Sequence, residues 1–96
     1  ERAELTPIRR DLAFVVDQSV PSADLVRHAQ GADKKLISKV DVFDVYEGTG
    51  VPEGQKSVAF EMTVQPLEKM KDEDIQALMD KVVASVAKGT GGVLRG

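Results

Sequence analysis

Two short blocks, Phe43-Asp44-Val45-Tyr46 and Lys56-Ser57, hold the side chains best suited to recognising another molecule. An ionised carboxylate only accepts hydrogen bonds, a hydroxyl donates or accepts them, and an aromatic ring offers a stacking face. With a small residue such as Ala13 beside them, these groups can hold a flat heterocycle, provided one surface carries them all. Catalysis needs a nucleophile with its base, a metal cage or a matched acid-base pair, and the sequence offers no recognisable set. The chain has no Cys, which removes disulfides, zinc ribbons and thiol chemistry. His28, the single His, has no ligand pattern around it and reads as a surface or helix-packing residue. The stretch from Gly50 to Ser57 has glycines and a Lys-Ser pair, but the spacing of a phosphate-binding loop is wrong and a strand follows instead of a helix. It reads as a hairpin turn.

The 96 residues fit one small domain, 1–96, with one sheet-and-helix core. Its 42% hydrophobic and 30% charged content is that of a soluble globular chain. The longest apolar runs, such as Leu12 to Val16, are far too short to cross a bilayer, so no membrane role is expected. The chain opens at Glu1 without Met and without a secretion signal, and reads as a fragment of a longer chain. The lack of Cys is compatible with a reducing cytoplasm. A net charge of -3 argues against a general nucleic-acid coat, which relies on surplus Lys and Arg to replace counterions. Any RNA binding must be local and specific, or supported by other parts of a larger molecule.

Periodicity predicts the strands and helices that carry these residues. Arg9 to Asp17 alternates with period two and predicts a first strand. Pro21 and Ser22 open a short helix with Leu25, Val26 and Ala29 on one face, closed by Gly31. Leu36 to Glu47 and Lys56 to Val64 predict a hairpin around the turn-rich 48–54. From Asp72 onward, Ile75, Leu78, Met79, Val82, Val83 and Val86 form one helical stripe, and Gly89, Gly91 and Gly92 are expected to stop it. Val93-Leu94-Arg95 can add a last strand. The order strand, helix, strand, strand, helix, strand is the split βαβ arrangement: an α+β, ferredoxin-like βαββαβ sandwich whose four-stranded antiparallel sheet carries two helices on one face.

Alternation then sorts the sheet faces. If Leu12, Phe14 and Val16 meet the helices, Ala13 and Val15 face away; if Val58, Phe60 and Met62 are inward, Ser57, Ala59 and Glu61 are outward. The same counting turns Phe43 and Val45 inward and puts Asp44 and Tyr46 on the open face. In the strand order four-one-three-two, Ala13, Ser57, Ala59, Asp44 and Tyr46 become one neighbourhood.

Taken in order and spacing, Arg9-Arg10-Asp11-Leu12-Ala13-Phe14-Val15-Val16, Phe43-Asp44-Val45-Tyr46-Glu47-Gly48, Gly54-Gln55-Lys56-Ser57-Val58-Ala59-Phe60 and Leu94-Arg95 resemble the C-terminal ferredoxin-fold anticodon-binding domain of the bacterial phenylalanine-tRNA synthetase beta chain. The resemblance implies binding of the anticodon stem-loop of phenylalanine tRNA, whose first anticodon base is a guanine, on the open sheet face. Matched motif by motif, the contacting positions are Ala13, Asp44, Tyr46 and Ser57. Stacking reads loop bases at ~1–3 kcal/mol each. Tyr46 is then the platform, Asp44 the acceptor for the two donors of the guanine edge, Ser57 a rim group, and Ala13 the small neighbour. Arg9, Arg10 and Lys56 are the expected phosphate contacts; Lys34, Lys35, Lys39 and Arg95 are basic residues of lower priority. The family often leads into its second helix with Arg-Thr-Leu-Thr. Here Glu68-Lys69-Met70-Lys71 stands instead, so Asp72 is the expected cap.

The resemblance also implies a cytoplasmic parent of two alpha and two beta chains, whose ATP and magnesium act at an aminoacylation centre elsewhere. The domain itself is expected to need no cofactor, no metal and no catalytic residue. Two other readings share this topology: an amino-acid-binding regulatory module, and a purely structural packing domain. Regulatory modules usually bind near a glycine-bearing first turn, whereas Asp17-Gln18-Ser19-Val20-Pro21 has no Gly.

Overall fold

A computed structural model describes residues 5–95; the Glu1 start lies outside them. The chain runs β1 (Ile8–Asp17), α1 (Ser22–Gly31), β2 (Ile37–Tyr46), β3 (Gln55–Val64), α2 (Asp72–Thr90) and β4 (Val93–Leu94). Its four strands lie in the order β2-β3-β1-β4 with antiparallel pairing throughout. This is the ferredoxin-like α+β arrangement that the order of elements predicts. Among the described residues, no helix is long and apolar enough to cross a membrane.

The core forms where the apolar parity of the strands meets the stripes of the helices. Phe14, Val58, Phe60 and Met62 on the sheet are fully enclosed with Leu25 of α1 and Val82 of α2. Phe14 and Phe60 stack with ring centroids 5.6 Å apart and planes 16° from parallel, an arrangement worth ~0.5–1.5 kcal/mol beyond area burial. The helices meet through small contacts. Ser85 Oγ donates to the His28 carbonyl at 2.7 Å, and a Cβ on Gly89 would collide with the His28 ring. Gly89 therefore does not stop α2, contrary to expectation; it is a helical residue that admits the His28 ring.

Two helix ends differ from the sequence reading for stated local reasons. Asp72 is the first residue of α2 rather than its cap. The N-cap position is Lys71, whose backbone N–H donates to Asp74 Oδ2 at 2.9 Å, so the third helical residue satisfies that orphan donor. At the far end Gly91 adopts φ 77, the left-handed conformation that ends helices, and its N–H donates to the Ala87 carbonyl. Gly92 is needed for space instead. A Cβ there would stand 2.9 Å from Val16 Cγ1 and 3.1 Å from Val86 Cγ1. Gly92→Ala should overpack this junction and cost about 1–3 kcal/mol, read as a lower urea midpoint with an unchanged slope.

The β1–α1 turn is tied by Asp17, whose carboxylate accepts from the Ser19 hydroxyl and from the Ser19 backbone N–H at 3.0 Å. These bonds, the hydroxyl first, hold its pKa below the ordinary 3.8, helped by nearby Lys56. The folded value is depressed, so the stabilisation is complete above the unfolded value and disappears as pH falls through the folded one. Below about pH 4, stability should therefore fall less steeply in Asp17→Asn than in the unaltered chain, as urea titrations at stepped pH would record.

Candidate nucleic-acid interface

The sheet face opposite the helices is organised in rows set by strand register. Ala13 pairs with Ala59 and Ala59 with Asp44; in the next row outward along the strands, Val15 pairs with Ser57 and Ser57 with Tyr46. Paired residues share a face, so Ala13, Asp44, Tyr46 and Ser57 come together on the uncovered side. In the opposite direction lie Asp11, Glu61 and Asp41 in one row, then Arg9, Thr63 and Lys39 in the next.

The route to this arrangement is not the simple alternation of β2. Its register with β3 shifts between Ile37 and Lys39 and again between Val42 and Asp44, each shift inserting an extra residue and bending the strand. Phe43 is the extra residue of the second bulge and is 59% exposed, while Val45 pairs with Val58 yet is 49% exposed. Both were expected inward. The bulge removes Phe43 from the ladder, and Val45 lies at the end of an edge strand, beyond the enclosing core. Asp44 and Tyr46 keep the outward parity because the bulge precedes them.

Tyr46 is held from several sides. Its hydroxyl donates to the Thr49 carbonyl at 2.9 Å, and a Cβ on Gly48 would stand 3.0 Å from that hydroxyl, so the β2–β3 loop folds against the phenol end. The Arg95 guanidinium lies over the ring, 5.8 Å from its centroid. Ser57 is only 4% exposed although it has open-face parity; Tyr46 is 38% exposed. Asp44 is exposed and enters none of the ion pairs found among the described residues.

The basic residues divide differently from expectation. Arg9 shares the open face, but it stands about 13 Å along β1 from Ala13 at the ordinary rise per residue, and it approaches Glu61 at 3.9 Å. Arg10 pairs with Met62 and Lys56 with Val16, which are core positions, so both have the parity of the helix side. The structure does not bring Arg10 or Lys56 to the proposed face. It brings Arg95 instead: the Arg95 N–H donates to the Ala13 carbonyl at 2.7 Å, extending the β4 ladder by a residue. Strand parity alone would not find this contact, because β4 and β2 are opposite edges, roughly 14 Å apart at the usual strand spacing. The available signal is the outward parity of a long side chain in the last strand.

The 48–54 segment is a hairpin loop leading into β3, with Gly48, Gly50 and Gly54 at positive φ. No group of three or more His, Cys, Asp or Glu side chains among the described residues could hold a metal ion.

Comparison with known proteins bears on the whole chain. Residues 3–95 match the family described as the ferredoxin-fold anticodon binding domain. The chain is 54% identical over 96 residues to a phenylalanine--tRNA ligase beta subunit of Bradyrhizobium diazoefficiens, covering 99% of this chain and 12% of that protein. It is 55% identical over 97 residues to the beta subunit of Rhodopseudomonas palustris, covering all of this chain and 12% of the relative. With the Paramagnetospirillum magneticum beta subunit the identity is 53% over 93 residues, 96% of this chain and 12% of the relative. The chain thus spans about one eighth of the length of these relatives.

Proposed function

Because the chain belongs to the ferredoxin-fold anticodon-binding domain family, we propose that it binds the anticodon stem-loop of phenylalanine tRNA on its open sheet face. The observation that carries this reading is the meeting of Ala13, Asp44, Tyr46 and Ser57 in adjoining rows on the side away from the helices. Tyr46 offers a ring already fixed by its hydroxyl bond to Thr49, so little side-chain freedom is lost when a base stacks on it. Asp44 offers two acceptor oxygens without an ion-pair partner among the described residues, matching the paired donors on a guanine edge. Ser57 completes the rim, and Ala13 leaves room above β1.

The chain is read as one such domain, residues 1–96, within a longer beta chain. In that parent, a cytoplasmic heterotetramer with an alpha chain, it supports recognition of the tRNA while phenylalanyl-tRNA is formed. ATP and magnesium serve the aminoacylation centre; the described residues here do not fit a metal, and no chemical step is assigned to them. Local charge supports a limited role for the isolated domain. Beside the site, Arg9 and Lys39 are engaged with Glu61 and Asp41 and so offer little to phosphate, and affinity in the parent depends partly on other contacts acting through effective concentration.

Paired titrations of the chain with the anticodon stem-loop and with free amino acids test the reading. Saturation by the RNA is expected. Saturation by an amino acid alone would replace the proposal with a regulatory module, and response to neither would leave a packing domain.

A further inference from the structure

We propose that Arg95 closes the base site in the free domain and is exchanged for the base on binding, its guanidinium passing from the Tyr46 ring to an RNA backbone phosphate. This rests on the reading of Tyr46 as the stacking platform. The guanidinium carbon is 5.8 Å from the ring centroid. A base between two stacked layers needs about twice the 3.4 Å spacing of successive bases, roughly 7 Å. A base stacking on Tyr46 therefore requires the guanidinium to leave its present position over the ring.

The exchange is energetically open. Among the described residues Arg95 has no carboxylate partner; its head lies over the Tyr46 ring and beside Gly50, where a Cβ would stand 3.3 Å from Nη2, and its backbone stays anchored at Ala13. Exposed cation–π contacts are weaker than base stacking on an aromatic residue.

The destination follows from the distribution of charge. On the open face, Arg9 is engaged with Glu61 at 3.9 Å and Lys39 with Asp41 at 3.2 Å, while Arg10 and Lys56 have the parity of the other side. Among the described residues, Arg95 is thus the cation of that face without a carboxylate, and it stands at the end away from the acidic row. A planar guanidinium suits bidentate contact with phosphate oxygens.

The test uses the complete chain and a synthetic anticodon stem-loop. In the free chain, the Arg95 side-chain protons should show ring-current shifts in nuclear magnetic resonance spectra. On RNA addition they should lose those shifts as the Tyr46 and Asp44 signals move. Arg95→Ala should lower the slope of log affinity against log salt by about 0.7, the value for one phosphate contact to a single strand; Arg95→Lys should restore it. Urea midpoints check that both variants fold. Ring-shifted Arg95 signals that persist in the complex, or an unchanged salt slope in Arg95→Ala, would overturn the exchange while leaving base binding intact. If the Tyr46 and Asp44 signals fail to move at saturating RNA, the base-binding reading falls and the exchange falls with it.

Discussion

Tyr46→Ala should weaken binding of the anticodon stem-loop by roughly 5- to 150-fold, the span that corresponds to losing one base stacked at ~1–3 kcal/mol. The ring is restrained enough to be a platform: its hydroxyl is bonded to Thr49 and its phenol end packs against Gly48. Alanine removes the stacking face together with that anchor, so Tyr46→Phe is the informative companion. Phenylalanine keeps the ring and loses only the bond to Thr49, and should retain most of the affinity. Filter binding or anisotropy with the three proteins reads both effects. Equal losses in the two variants would mean that loop anchoring matters and stacking does not.

The second large effect concerns which base is chosen. Asp44 presents acceptors only, and the guanine Watson-Crick edge presents two adjacent donors; Asn presents one acceptor and one donor. Asp44→Asn should therefore lower affinity for a stem-loop with guanine at the first anticodon position and raise it for one with adenine. A bidentate contact discriminates by ~1–3 kcal/mol, so the guanine-to-adenine preference should fall by roughly 5- to 150-fold. Asp44 pairs with Ala59 in the ladder and has an exposed side chain, which makes the change nearly isosteric for folding. A preference that survives unchanged would assign base choice to another group.

Much of this site is legible in the sequence because period-two alternation survives where it matters. Leu12, Phe14 and Val16 set the parity of β1, and the Lys56 to Val64 run sets that of β3, so the outward positions of Ala13, Ser57 and Ala59 follow directly. The α2 stripe is legible for the same reason: Leu78, Met79, Val82 and Val86 are buried as their spacing predicts. In β2 alternation fails. Carried backward from Phe43 and Val45, strict counting would turn Asp41 and Lys39 toward the helices, and that conflict is the sequence signal of the bulges. The structure resolves it with two register shifts, leaving Val40 buried and Val42 packed against the core.

Contacts made by side chains across the fold were less legible. Gly89 reads as a helix stop because Gly weakens helices, yet its value is the space it gives the His28 ring. Asp72 reads as a cap because of its type, but the backbone places Lys71 at that position and Asp74 within reach of its N–H. Arg95 reads as one scattered cation among several. Its position over Tyr46 depends on a side chain lying across the sheet, which neither propensity nor spacing encodes.

Whether RNA seats on the open sheet face can be read by mapping amide and side-chain resonances of the chain during titration with the anticodon stem-loop. The largest changes should fall on Ala13, Asp44, Tyr46 and Ser57, with α1 and the outer face of α2 silent. Changes concentrated on the helices, with those four residues unmoved, would contradict that seating.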